Sequence, residues 1–223
     1  MKKVMGVLLC VTVGLGLFAG CTADDSDFKQ VEYTADGTQI HTIQIDVQDR
    51  KIEVERAEDE NITISYYESE QERYDISASD DGTLIISYRP EKEWTDYIGA
   101  NASEKVRTIH LQIPDQLISN LQITTTKEDV SLPELTLTQG ISVNVNQGDI
   151  MLGQLTVGSS ADLTVKNGNI TGTLMGSYDD FTISCQVKKG ESNLPEQMGN
   201  GPKQLNVSAN NGDVEIQMTE SGE

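Results

Sequence analysis

Asn146-Gln147-Gly148-Asp149-Ile150, Lys166-Asn167-Gly168-Asn169-Ile170, Lys188-Lys189-Gly190-Glu191-Ser192 and Asn210-Asn211-Gly212-Asp213-Val214 are four copies of one short phrase, spaced by 20, 22 and 22 residues. A fainter copy, Lys127-Glu128-Asp129-Val130, stands 20 residues before the first. Counting back from each glycine, the seventh residue is Ile141, Ala161, Ile183 or Leu205, and the fifth is Val143, Leu163, Cys185 or Val207. The third is Val145, Val165, Val187 or Ala209, and the faint copy follows with Leu121, Ile123 and Thr125. Beyond the glycine, Ile150, Ile170 and Val214 are apolar, with Ser192 the exception. Apolar residues at every second position, a glycine and a further apolar residue read as strand, tight corner, strand. One such unit cannot bury its apolar edge alone, so copies at this period stack into a β-solenoid. Gly148, Gly168, Gly190 and Gly212 mark the corners, where positive φ is cheap for glycine and tolerated by neighbouring Asn and Asp. The Leu-x-x-Leu-x-Leu spacing of leucine-rich repeats is missing; a twisted β-sandwich is the structural alternative.

Working upstream, the same two-residue rhythm appears at Ile43, Ile45 and Val47, at Ile52 and Val54, at Ile62 and Ile64, at Leu84 and Ile86, and at Ile109, Leu111 and Ile113. No stretch holds a helical period for three turns, so the chain reads as one all-β domain over 30–218, with a disordered tail at 219–223. Asp81-Gly82, between Tyr74-Ile76-Ala78 and Leu84-Ile86, signals a hairpin with a primed turn, and Asp36-Gly37 is a second candidate. Residues 91–101 interrupt the pattern and carry the single tryptophan, Trp94, together with Tyr97. These two aromatics are either partner contacts or a cover for the core. The stretch Pro195 to Pro202 reads as a bulged loop in the last coil.

The N-terminus supplies an address. Lys2 and Lys3 precede an uncharged run that ends in Ala19-Gly20-Cys21, the layout of a secretory signal peptide. Leu17-Phe18-Ala19-Gly20-Cys21 resembles the lipobox of bacterial lipoproteins, which implies a signal peptide over 1–20, acylation of Cys21 by palmitate-type chains, and an acidic tether over 21–29. An ordinary signal peptide or an uncleaved anchor are the competing readings, and both export the remainder. Loss of Lys2 and Lys3 leaves 14 basic against 36 acidic side chains, moving the formal charge from -20 to -22. Phosphate polymers are poor partners for that charge, which excludes nucleic acid. Cys10 leaves with the leader and Cys21 is taken by lipid, so Cys185 has no disulfide partner.

His110-Leu111-Gln112-Ile113-Pro114, the strand region before it and the Asn-Gly-Asp-Ile-like corners resemble the bacterial putative-adhesin domain of unknown function, as in LiaG-like envelope proteins. The resemblance spans roughly residues 38 to 217 by the extent of the strand and repeat pattern. It implies a β-solenoid at the cell envelope and carries no catalytic motif. The residues themselves agree: His41 and His110 lack partners at zinc spacing, and Cys185 falls in an inward row. In-register stacking would align Asp129, Asp149, Asn169, Glu191 and Asp213 in a column about 4.8 Å per rung. Calcium is the one ion such oxygen ligands would suit, and no other cofactor is expected. The expectation is therefore a non-catalytic binding or envelope-stress accessory module, held to the membrane by its lipid and facing an envelope protein or a wall polymer. A passive structural component and a carbohydrate-active enzyme with paired carboxylates are the alternatives.

Overall fold

Alternating inward side chains decide the architecture, because every strand that carries them must find a facing layer. The computed structural model describes residues 25–90 and 102–219. Cys21, Trp94, Tyr97 and the tail from 220 lie outside the described residues. The strands are β1 (Lys29–Asp36), β2 (Thr42–Asp46), β3 (Lys51–Arg56), β4 (Asn61–Glu68), β5 (Glu72–Ala78), β6 (Thr83–Pro90), β7 (Thr108–Ile113), β8 (Asn120–Thr125) and β9 (Val130–Leu132). They continue as β10 (Leu135–Leu137), β11 (Gly140–Gln147), β12 (Ile150–Val157), β13 (Ser160–Asn167), β14 (Ile170–Met175), β15 (Phe181–Lys189), β16 (Gln197–Met198), β17 (Lys203–Asn211) and β18 (Val214–Thr219). One four-residue helix, α1 (Glu104–Arg107), precedes β7.

The chain is a β-solenoid of two facing sheets. The first sheet runs β1-β4-β7-β3-β9-β12-β14-β18, with β10 beside β12, and the second runs β16-β15-β17-β13-β11-β8-β2-β6-β5. The repeats lay their first strand in the second sheet, turn at the glycine and lay the next strand in the first, except after Gly190, where a single bridge from Ser192 to Val214 stands in for that strand. Pairing is parallel and repeat positions coincide: Val143 lies opposite both Ile123 and Leu163, and Leu163 opposite Val207. Equal positions therefore form continuous apolar columns, and Val143, Leu163, Cys185 and Val207 are all buried. Burying a side chain of this size contributes about 1.5–3 kcal/mol. A register slip of one residue would turn every column outward, so the register is strongly specified.

Two further coils lie upstream of the legible repeat. β2 and β3 stack on β8 and β9, with Ile43 opposite Leu121 and Ile52 opposite Val130. β6 and β7 stack beyond them, with Leu84 opposite Ile43 and Ile109 opposite Ile52. The corner between β2 and β3 carries no glycine. Asp49 takes φ 53° there, and residues 91–107 form the connection between β6 and β7. The antiparallel strands β4, β5 and β1 finish this end of the stack.

Stack order departs from chain order twice. The coil β6–β7 lies outside β2–β3, and β17–β18 inserts between β13–β14 and the earlier coil that begins with β15. The stretch Pro195 to Pro202 is therefore not a bulge within the last coil. It carries β16, antiparallel to β15, and then returns the chain into the interior of the sheet. β16 covers part of the β15 edge, while the Asn193 side chain bonds both the N–H and the C=O of Ile216 at 3.0 and 2.8 Å on the β18 edge. Both devices blunt open edges that would otherwise recruit strands.

Two expected turns differ. At Asp81-Gly82 only Gly82 has positive φ, 78°, and Ser79 pairs with Thr83 around a three-residue loop. The twist is thus matched by one left-handed glycine rather than by a two-residue primed turn. Asp36-Gly37 does not reverse the chain: the Asp36 side chain accepts from Thr38 N at 3.0 Å and starts a single 3-10 turn that crosses from the first sheet to the second. In the described part of the expected tether, Phe28 N bonds Asp25 O at 3.0 Å in a turn before β1.

A methyl group on Gly168 would lie 2.0 Å from the Gly148 carbonyl oxygen, at φ 147°. Gly168→Ala is expected to lose about 1–3 kcal/mol, read as a lower urea midpoint at unchanged slope.

Candidate functional site

The corner column is the first place where the repeat gathers chemistry. Gly148, Gly168, Gly212 and Gly190 follow one another along it with φ of 139°, 147°, 140° and 139°. Each presses against the carbonyl of the residue in the coil before it: Glu128, Gly148, Gly168 and Gly212. Glu128 occupies the glycine position of the faint copy with φ 74°. Beside the glycines, the acidic residues form a ladder. Asp129 Oδ1 accepts Asp149 N–H at 2.8 Å, Asp149 Oδ1 accepts Asn169 N–H at 2.7 Å, Asn169 Oδ1 accepts Asp213 N–H at 2.9 Å, and Asp213 Oδ1 accepts Glu191 N–H at 2.8 Å.

This ladder gives each Asp or Asn a structural task. A short side-chain oxygen reaches the next rung's N–H, and a neutral amide does so as well as a carboxylate, which accounts for Asn169. Glu191 stands in the terminal coil and only donates. The order along the column is Asp129, Asp149, Asn169, Asp213, Glu191, because of the inverted last coils. Among the described residues no three His, Cys, Asp or Glu side chains come together as a metal-binding group. His110 Nδ1 lies 3.2 Å from Glu53 on the outside of the first sheet, and His41 is exposed at a strand start.

Sequence reasoning missed a buried cluster at the β5–β6 end. Arg50 is 2% exposed, with its guanidinium paired to Glu72, its Nε donating to Tyr74 Oη at 2.5 Å, and its Cζ 4.5 Å from the Tyr88 ring centroid. Tyr66 and Tyr74 meet edge to face at 4.8 Å. Burial opposes the Arg50 charge, but the oxygens of Tyr74, Glu72 and Tyr88 outweigh it, so the guanidinium stays ionised. Burial pushes the Tyr66 phenol up to about 12, and raises Tyr74 and Tyr88 as well. The signal was faint: one Arg in a corner and three tyrosines on inward positions of separate strands.

Asp25 accepts from Ser103 N at 3.0 Å and from its hydroxyl at 2.5 Å, which ties the N-terminal segment to the same end of the stack as β1. Lys51 bridges Glu53 and Glu104 nearby at 2.8 and 2.7 Å. Cys185 is buried, 3.3 Å from the Ser192 hydroxyl. Among the described residues no helix is long and apolar enough to cross a membrane.

The profile of the Toastrack DUF4097 family matches residues 40–174 and 118–217. The chain belongs to this family. Among solved structures it resembles a putative cell adhesion protein from Clostridium sporogenes at 11% identity, covering 86% of this chain and 99% of that one with a TM-score of 0.57. Putative adhesins from Bacteroides fragilis and Parabacteroides distasonis align at 13% and 11% identity, over 85% and 84% of this chain and 97% of each of theirs, with TM-scores of 0.35 and 0.29. The first likeness bears on the fold alone. No curated protein matches. Together the two matches reach from β2 to β18, across the upstream coils and the glycine repeats.

Two measurements test this geometry. Asp149→Asn keeps the acceptor and is expected to leave the melting temperature nearly unchanged, whereas Asp149→Ala strands the Asn169 N–H and loses about 1–3 kcal/mol. Raised phenol values in the fold mean that neutral tyrosine stabilises it fully below pH 10, and that this contribution is lost as pH climbs from about 10 toward about 12. Alkaline denaturation should therefore begin near pH 10, and Tyr66→Phe should move its onset upward.

Proposed function

We propose that this Toastrack chain is an exported, lipid-anchored, non-catalytic binding module of the bacterial envelope. One observation carries the reading: the N-terminal segment joins the stack at one end, through Asp25, Ser103 and β1, while β15 and β16 close the other. A lipid on Cys21 would hold such a stack by its end and present both outer faces along its length. Nine strands in the second sheet at about 4.8 Å each place β16 about 38 Å from β5. The filled interior leaves the outer faces, corners and loops as the places where a partner can be met. Two or more acyl chains would hold the module stably.

The test is cross-linking with mass spectrometry on intact cells at native expression, beside cells carrying Cys21→Ser. The expected result is a lipid adduct on the N-terminal peptide of the parent chain, and partner cross-links that the substitution abolishes. A Cys21→Ser chain with unchanged N-terminal mass, membrane fractionation and cross-links would overturn the anchored reading.

A further inference from the structure

From β2 to β15, three rows on the outer face of the second sheet are almost free of charge in a chain of net charge -20, while Arg73, Asp75 and Arg89 stand farther along on β5 and β6. The middle row, read across six paired strands, is Gln44, Gln122, Ser142, Asp162, Asn206 and Ser184. The flanking rows continue with side chains such as Thr124, Asn144 and Thr164, all exposed. From β2 to β15, these three rows contain no Lys, Arg or Glu, and their only charges are Asp46 and Asp162. Asp162 is engaged by Asn206 Nδ2 at 2.7 Å. The first sheet contrasts with it, since Glu53, Glu55 and Glu215 point outward there beside the exposed Met151. These three rows of the second sheet form a patch of about 24 by 13 Å, taking five strand gaps and two row spacings.

We infer that this face binds a neutral glycan chain bearing N-acetylated hexosamines, the chemistry of a cell-wall sugar strand; the inference rests on the envelope-binding reading above. A protein partner would call for an apolar, aromatic-rich centre, and the face has none. An anionic polymer would be repelled by the surrounding acids. Amide side chains offer a donor and an acceptor together, which pairs reciprocally with an acetamido group, and the interleaved Ser and Thr hydroxyls suit ring hydroxyls. Neither partner has to shed the tightly held water of an ion. The flat, evenly spaced rungs let a sugar chain lie across many strands, each contributing one weak contact, so affinity accumulates by repetition rather than from a single pocket.

The full-length protein, purified in detergent, is tested by co-sedimentation with insoluble chitin, with cellulose as the polymer lacking acetamido groups. Chitin binding is expected to exceed cellulose binding and to weaken at least tenfold in Gln122→Glu combined with Asn144→Glu. Thr171→Glu, on the opposite face, should leave binding unchanged. Equal retention on both polymers, an equal loss in Thr171→Glu, or no retention on chitin would overturn the assignment. If chitin fails while the cross-linking on cells still captures an external partner, the glycan inference alone falls. If both fail, the binding-module reading falls with it.

Discussion

Backbone registration at the corner is the constraint on which the rest of the structure depends. Each coil can sit on the previous one only if its corner residue lets a neighbouring carbonyl approach where a β-carbon would otherwise stand. Gly168 against Gly148 and Gly212 against Gly168 show the requirement most directly. Once the corners are locked, strand positions repeat without slip, and the apolar columns, the Asx ladder and the flat outer faces all follow from the same alignment. The ladder adds directionality, since each side-chain oxygen serves the N–H of the next coil.

Much of this was legible because the repeat writes structure into spacing. Gly148, Gly168, Gly190 and Gly212, with inward residues at three, five and seven positions before them, announce strand, corner and stack together. The upstream coils were legible only as strands. Ile43, Ile45 and Ile52 show the alternation, but their corner is Gln48-Asp49-Arg50, where hydrogen bonds from Thr126 and Lys127 to Asp49 replace a glycine. Asp49 and Glu128 accept positive φ without glycine's freedom, and a motif built on glycine passes over them.

Stack order was not legible at all, for a physical reason. The pairing of β13 with β17 rather than β15 depends on how the intervening connection runs, and both strands carry the same inward pattern. Ile183 and Leu205 are interchangeable as columns of the core, so periodicity cannot rank them. The acidic column was visible as composition but not as chemistry. Its meaning lies in which backbone N–H each oxygen meets, a relation between coils 20 to 44 residues apart. The Arg50 cluster was hidden in the same way, being assembled from residues scattered over β4, β5, β6 and one corner.

The inverted last coils affect how the chain is made. The strand β15 emerges before β17 during synthesis, yet in the finished protein it touches β13's coil only through β17. Until residues 203–219 appear, residues 181–192 have no stack to join. The coils as far as β14 can therefore assemble first, whereas the β15 end of the stack closes only once residues 203–219 are in place. A chain released before those residues were made would leave the β14 and β13 edges bare, so the coil inserted last is the one that completes both sheets.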